Sequence, residues 1–250
     1  GWDIKRLCRQ IALSSTYQQD SRCPPHLRQL DPENRLLARG PSHRLTAEQI
    51  RDVALAASGL LEQKIGGPPV SPYQPGGDLW RETNTMSPPY RQSTGVELYR
   101  RSLYSVWKRT TPLPNMSAFD ATTREVCVVA RGRTNTPLQA LVLLNDVQFV
   151  EASRALATAV SHEHADVEEQ IGAAFLRLTG RRPDAVELKL LVDLYNDQRE
   201  LFADLTQQDA FKFTQLGEMK PDPTLAPADL AALTVTCQAI LSLDATIYER

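Results

Sequence analysis

The chain is poor in the features that would announce a chemistry. Four cysteines in 250 residues are too few for a disulfide scaffold. No apolar run approaches the ~20 residues that a membrane helix needs. Charge of one sign is also missing: 28 Lys and Arg stand against 30 Asp and Glu, a net of −2. That balance excludes a generally basic nucleic-acid binder and an acidic disordered tail. There is no Gly-x-Ser-x-Gly elbow and no His-Glu-x-x-His. Gly66-Gly67 lacks the Gly-Lys-Ser/Thr of a phosphate loop, and Cys-x-x-Cys-His, the haem-attachment string, does not occur. His162 and His164 lie two apart and do not share a helical face, while His26 and His43 are isolated. No metal site is read from them, and no cofactor is expected on this chain.

What is present is an ordinary globular composition, 42% hydrophobic and 23% charged, enough for one sizeable domain or two small ones. Helix signals dominate. Trp2, Ile4, Leu7, Ile11 and Leu13 predict a helix over 2–18, and Asp31-Pro32 reads as the start of a short helix through Leu37. Thr46 with Gln49 forms a capping box, opening a helix expected to run to Gly66-Gly67-Pro68-Pro69. Residues 66–95 hold six prolines and five glycines, a long irregular loop in which Trp80 and Tyr90 argue for some order. The segment 96–109 fits a helix or a strand; helix is favoured. Thr136-Pro137 caps a helix that breaks near Asn145-Asp146, and another runs from about 147 to 160. Asp166 with Glu169 and Asp184 with Glu187 are further capping boxes, Gly180 ends a helix between them, and a last helix spans roughly 227–242. The expected fold is all-α, an irregular multi-helix domain with a long Pro/Gly-rich loop and little or no β. It divides into an Arg-rich half, 1–133, and a C-terminal half, 134–250, within one continuous module. Gly1-Trp2 opens inside a helical pattern, so the expectation is a piece of a longer protein whose targeting signal lies elsewhere.

Charge is uneven along the chain. Residues 1–150 carry 19 basic and 13 acidic side chains, residues 161–250 carry 8 and 16, and arginine outnumbers lysine 22 to 6. Arginine's planar fork suits carboxylate pairing and buried ion pairs. Glu48, Arg51 and Asp52 share a helix face with Arg44 one turn earlier. Either they line a pocket, with Glu48 or Asp52 as acid or base, or they clamp the helix to Arg100-Arg101; the clamp is favoured. Segment 91–133 holds eight basic and three acidic residues interleaved with Tyr99, Tyr104 and Trp107. This mix could bind an anionic glycan through Arg100, Arg101, Arg109 and Arg131, with Tyr99 or Trp107 stacking. The favoured alternative packs the aromatics in the core and pairs the arginines with Glu48, Asp52 and Asp120. Cys8 and Cys23 could pair in an oxidising compartment or remain thiols; Cys127 and Cys237 read as small apolar core residues.

Several ordered strings carry a family resemblance: Asp31-Pro-Glu-Asn-Arg35, Arg44-Leu-Thr-Ala-Glu-Gln-Ile-Arg-Asp52, Arg100-Arg-Ser-Leu-Tyr104, Lys108-Arg-Thr110, Phe119-Asp120, Arg131 and Thr136-Pro-Leu-Gln-Ala-Leu-Val-Leu-Leu-Asn-Asp146. Together they resemble the planctomycete-type C-terminal domain of unknown function (the PSD-one domain, DUF1553) of large exported proteins that often carry cytochrome c modules. The resemblance implies an all-helical, extracytoplasmic module that packs against upstream domains of the same polypeptide, with any haem on an upstream part. It brings no catalytic residues. Val147 stands where that family usually has proline, which predicts a softer helix break, and Ser242-Leu243-Asp244 replaces its usual Leu-Asn ending. The expected function is therefore a helical accessory or scaffold module. The alternatives are a polysaccharide hydrolase or lyase using Glu48 or Asp52 with Asp120, or an anionic-glycan-binding domain using Arg44, Arg51, Arg100, Arg101, Arg109 and Arg131. No nucleic acid or membrane span is expected.

Overall fold

The structure is a computed structural model; it describes residues 1–75, 80, 86, 88–204 and 212–249. The described residues are essentially all-α, and their only sheet is a pair of two-residue strands. They form two compact units, one of residues 1–45 with 247–250, the other of residues 46–246.

In the smaller unit, α1 (Ile4–Ala12) starts at Asp3, whose carboxylate accepts the Arg6 amide at 3.0 Å. It is shorter than the predicted 2–18, because Ser14 turns the chain by accepting the Tyr17 amide at 3.3 Å while donating to Ile11 O. α2 (Pro25–Leu30) precedes Asp31. The predicted helix from Asp31 to Leu37 does not form. Asp31 is buried and its carboxylate accepts the amides of Arg35 and Leu36, both at 2.8 Å, which winds 31–37 into turns with Asn34 and Leu37 left-handed. An acidic side chain folded back on the next amides competes with the helix ladder. β1 (His43–Arg44) pairs antiparallel with β2 (Tyr248–Glu249), and the Arg44 guanidinium lies over the Tyr248 ring at 5.8 Å.

The larger unit begins with α3 (Ala47–Ala57), where the Thr46–Gln49 capping box forms as expected. The helix stops at Ser58-Gly59, with Gly59 at φ +77°, earlier than the predicted Gly66-Gly67. Segment 96–109 is not a helix. It makes two 3-10 turns, Gly95–Tyr99 and Ser102–Tyr104, and Glu62 and Val70 bridge to Arg100 and Ser105. α4 (Pro114–Ala118) is one short turn. α5 (Pro137–Asn145) and α6 (Val147–Glu163) are separated at Asp146, whose ψ of 130° breaks the helix fully despite Val147; its carboxylate then caps α6 at the Gln148 amide, 3.0 Å away. The break needs no proline because the N-cap supplies it. α7 (Val167–Thr179) is capped by Asp166 and ended by Gly180 at φ +75°. α8 (Ala185–Asp204) carries the reciprocal Asp184–Glu187 box.

α9 (Pro227–Leu241) forms the centre and packs on α5, α6, α7 and α8. It is apolar almost all round, as a buried helix must be. Ala231, Ala232, Leu233, Cys237 and Ile240 meet a core that includes Leu156, Ala157 and Val160 of α6 and Ile171, Ala174 and Phe175 of α7. Its buried hydroxyls are satisfied within the helix: Thr234 donates to Leu230 O at 2.7 Å and Thr236 to Ala232 O at 2.9 Å. Gln238 donates to Leu144 O at 2.8 Å, closing the C-terminal turn of α5. A last turn, α10, covers Asp244–Ile247. Much of the Pro/Gly stretch 66–95 lies outside the described residues; within the rest, Trp80 and Tyr90 meet edge to face at 5.1 Å.

Candidate functional site

Among the described residues of the larger unit three arginines are fully buried, and each grips main-chain carbonyls. Arg51, on the inner face of α3, donates from Nη1 to Arg100 O at 2.7 Å and Ser102 Oγ at 3.2 Å, and from Nη2 to Leu98 O at 2.9 Å. Asp52 accepts the Ser102 amide at 2.8 Å. Neighbouring residues of α3 thus hold the 95–104 turns from both sides, through carbonyls, a hydroxyl and an amide where a network of ion pairs was expected. Burial depresses the Arg51 guanidinium to about 10 against the pull of Asp52 and Asp146. Burial also raises the Asp146 carboxyl.

Arg100 sits in a cradle of carbonyls. Its guanidinium donates to Pro68 O at 3.1 Å, Lys64 O at 3.2 Å and Gly66 O, and packs 4.1 Å from the centre of the Tyr104 ring. Glu97 lies 3.5 Å away. Gly66 and Gly67, at φ +79° and +94°, let the loop wrap this group, and the Tyr104 hydroxyl accepts the Gly66 amide at 2.8 Å. A lysine's single point charge could not fill such a ring of acceptors.

The remaining residues singled out in sequence are scattered. Glu48 accepts from Arg131 at 2.7 Å; burial, the largest single influence, pulls its carboxyl upward, but that bond, its own backbone amide, the Arg131 charge and Thr46 together outweigh it and leave Glu48 below the ordinary carboxylate range. Asp120, at φ +59°, accepts the Thr134 amide at 2.6 Å and the Thr134 hydroxyl at 2.9 Å. The expected Asp120–arginine pair is replaced by this turn contact. Arg101 is half-exposed, with Nε 4.0 Å from Asp52, and Arg109 is exposed. Arg44 belongs to the smaller unit. Trp107 donates to Thr123 O at 3.1 Å with Arg124 over its ring. The carbonyl-gripping role of the buried arginines departs from the expectation that carboxylates would satisfy them: a guanidinium fork presents five donors, and irregular loops leave carbonyls without ladder partners.

A second buried polar knot went unforeseen. Glu151, in α6, is completely buried. Its Oε2 accepts from the Tyr73 hydroxyl at 3.0 Å; its Oε1 accepts from the Tyr99 hydroxyl at 3.0 Å and the Met219 amide at 2.7 Å. The Tyr73 oxygen also accepts the Glu218 amide at 2.7 Å. Burial and the Glu151 charge raise both phenols above their ordinary range. One helical turn on, Arg154 donates from Nη2 to Leu216 O at 3.2 Å and Met219 O at 2.5 Å, and burial lowers its guanidinium. Gly217, at φ +90°, is obligatory here, because a Cβ would come within 2.4 Å of Glu151 Oε1. A signal was present: Phe149-Val-Glu-Ala-Ser-Arg-Ala-Leu-Ala sets Glu151 and Arg154 among apolar and small residues on every side of the helix, a setting that suits a buried segment.

Chemically, these groups act as ties from helices to loops. His162 pairs with Asp222 at 2.7 Å and His164 lies 3.5 Å from Glu169. No group of three or more His, Cys, Asp or Glu among the described residues is placed to hold a metal. Cys127 is exposed, correcting its reading as a core residue, while Cys237 is buried; Cys8 and Cys23 are free thiols. A cleft of about 590 Å³ lies along α7 between His164, Glu169, Leu176, Arg182 and Leu188. None of the catalytic or binding candidates read from the sequence lines it. No described helix is long and apolar enough to cross a membrane.

The family PSD1, described as "Protein of unknown function (DUF1553)", matches residues 1–195. Comparison with curated proteins and with solved structures finds no match.

Proposed function

The chain belongs to the DUF1553 family, and from that premise we propose that it is a helical accessory module of a larger exported, cytochrome-linked protein, docking against neighbouring domains and not itself catalytic. The observation that carries this reading is the use made of Arg51, Arg100 and Arg154. Each is buried and holds loop carbonyls, so the cations that could have bound a substrate instead fix the scaffold. Exported and cytochrome-linked context is supported by the ordered strings from Asp31 to Asp146 described above. Haem attachment does not fit this chain's own cysteines, because none begins a Cys-x-x-Cys-His string. The haem of such a parent would sit on another part of it.

The hydrolase reading asks Glu48 and Asp120 to act as a pair across one cleft. Glu48 is engaged by Arg131 and Asp120 by Thr134, each with its own partner. Of the candidate arginines, the glycan-binding reading retains the exposed Arg101 and Arg109, with Arg131 exposed but engaged by Glu48. The test is to co-express this chain with the segments encoded beside it in its open reading frame and to follow complex formation by sedimentation velocity. The proposal expects a stable complex. Independent sedimentation, or turnover of a polysaccharide by this chain alone, would overturn it.

A further inference from the structure

Between α4 and α5, residues 123–138 are exposed without interruption. Within this run stands Val126-Cys-Val-Val-Ala130, five apolar residues in a row. Val126 is 71% exposed, Val128 52%, and Val129 stands wholly in solvent. Turns and loops favour Gly, Pro, Asn, Asp and Ser, whereas a valine-rich run suits a sheet. The main chain is unpaired as well. Among the described residues, no amide or carbonyl of 126–133 makes a hydrogen bond.

The run is nonetheless fastened at both ends. Thr123 O accepts from the Trp107 indole at 3.1 Å, and the Arg124 guanidinium lies 5.0 Å from the centre of that ring. At the other end Arg131 donates to Glu48 at 2.7 Å, and the Thr134 amide donates to Asp120 at 2.6 Å. The five apolar residues are thus presented to solvent as a short strap, with bends at 124–126 and 129–130. Holding both ends lowers the entropy lost when the strap is ordered against a partner.

The chemistry of the strap says what would cover it. Amides and carbonyls are strong hydrogen-bonding groups, and a partner that pairs them in series must offer a series of its own. A helix has such groups free only at its ends; a sheet edge has a row of them. In an extended strand successive side chains alternate, which puts Val126, Val128 and Ala130 on one face and Cys127 and Val129 on the other. Both faces are then apolar, as in strands covered on both sides. Five residues is an ordinary strand length. Among the described residues this chain has no sheet to receive the strap, since β1 and β2, of two residues each, pair with one another. A second copy fits less well. Two copies would make only a two-stranded ribbon, marginal in water, and Arg131, the cation that would face a copy's Glu125, is engaged by Glu48.

We propose that residues 126–130 straighten and add as a strand to the open edge of a sheet in a partner domain, pairing main chain to main chain. This names a docking surface for the accessory module, and it rests on that reading.

The test follows amide exchange, residue by residue, in the full chain alone and in complex with the segments encoded beside it. In the free chain the amides of 126–130 should exchange as fast as in an unfolded peptide. In the complex every second amide of the run should slow about tenfold or more, because a strand added at an edge turns alternate amides toward its neighbour. The double variant Val128→Pro with Val129→Pro removes donors of both orientations and should weaken the complex about tenfold or more. Its thermal unfolding should stay unchanged, since neither amide is bonded in the free chain. Val128→Thr with Val129→Thr, which keeps the branched shape and the amides, should retain the complex. Protection of all five amides alike, undiminished affinity of the proline pair, loss of stability in that pair, or protection that appears on self-association of this chain alone would each overturn the inference. A complex that forms without protecting 126–130 places the docking surface elsewhere and leaves the module reading standing. If the unmodified chain does not join the neighbouring segments, that reading fails and the inference with it.

Discussion

The hydroxyl of Tyr73 donates a 3.0 Å hydrogen bond to Oε2 of Glu151, 78 positions away in sequence. The same hydroxyl oxygen accepts the Glu218 amide. One phenol therefore joins the Pro/Gly-rich stretch, α6 and the 216–219 loop, and a buried carboxylate is the hub. Glu151→Gln keeps the shape but replaces one acceptor oxygen with an NH2 that must face existing donors. The expected loss of stability is about 2–4 kcal/mol, since a buried donor left facing a donor carries its full desolvation cost. Gly217→Ala should destabilise by about 2 kcal/mol or more, combining a left-handed backbone with overlap against Glu151. Urea unfolding measures both.

Arg51→Lys tests the clamp on the 95–104 turns. A single ammonium cannot serve Leu98 O, Arg100 O and Ser102 Oγ in two directions. A loss of about 2 kcal/mol is expected. Hydrogen exchange should quicken selectively at the Ser102 amide, which donates to Asp52 on the same helix turn. Uniform destabilisation without that local signature would mean that Arg51 does not hold this segment.

Asp222 accepts from the Thr224 hydroxyl at 2.6 Å, the Thr224 amide at 2.8 Å and His162 at 2.7 Å; these bonds, the hydroxyl first, lower its carboxyl to about 2. Because the folded value lies below the ordinary 3.8, the stabilising contribution is complete above that value and disappears as pH falls through about 2. An NMR titration of Asp222 should show the low midpoint, and Thr224→Ala should raise it. A midpoint in the ordinary range would remove the turn contact from the account.

Thiol reactivity separates the cysteines. Burial pushes the Cys237 thiol up to about 12, so it should react with a disulfide reagent only when the chain unfolds. Cys8 and Cys127, both exposed, should react in the folded protein. Labelling followed by peptide mapping reads this directly.

The sequence announced elements whose signals are local. The Thr46–Gln49 box, the Asp146 break, Gly180 and the 227–241 helix each rest on a cap or a period within a few residues. The failures are non-local or competitive. Asp31 could cap a helix or fold onto Arg35 and Leu36, and only the surrounding ties to Arg39 decide for the turn. The 96–109 segment lost its helix because its amides and carbonyls face α3 and the 62–70 strand-like chain. At the candidate site, the meeting of α3 with the Arg100-Arg101 segment was legible from charge spacing on one helix, but its bonds to main-chain groups in place of ion pairs were not. The Arg100 cradle was not, because its acceptors are carbonyls, which every residue has.

The buried guanidinium groups are the most direct test of the account. With the arginine side chains labelled in nitrogen-15, Arg51, Arg100 and Arg154 should show resolved, slowly exchanging Nη–H signals that stay in place when a heparin-type oligosaccharide is added. Averaged signals in rapid exchange, or shifts that saturate with the oligosaccharide, would show these arginines to be free for a ligand and would contradict the scaffold they are held to build.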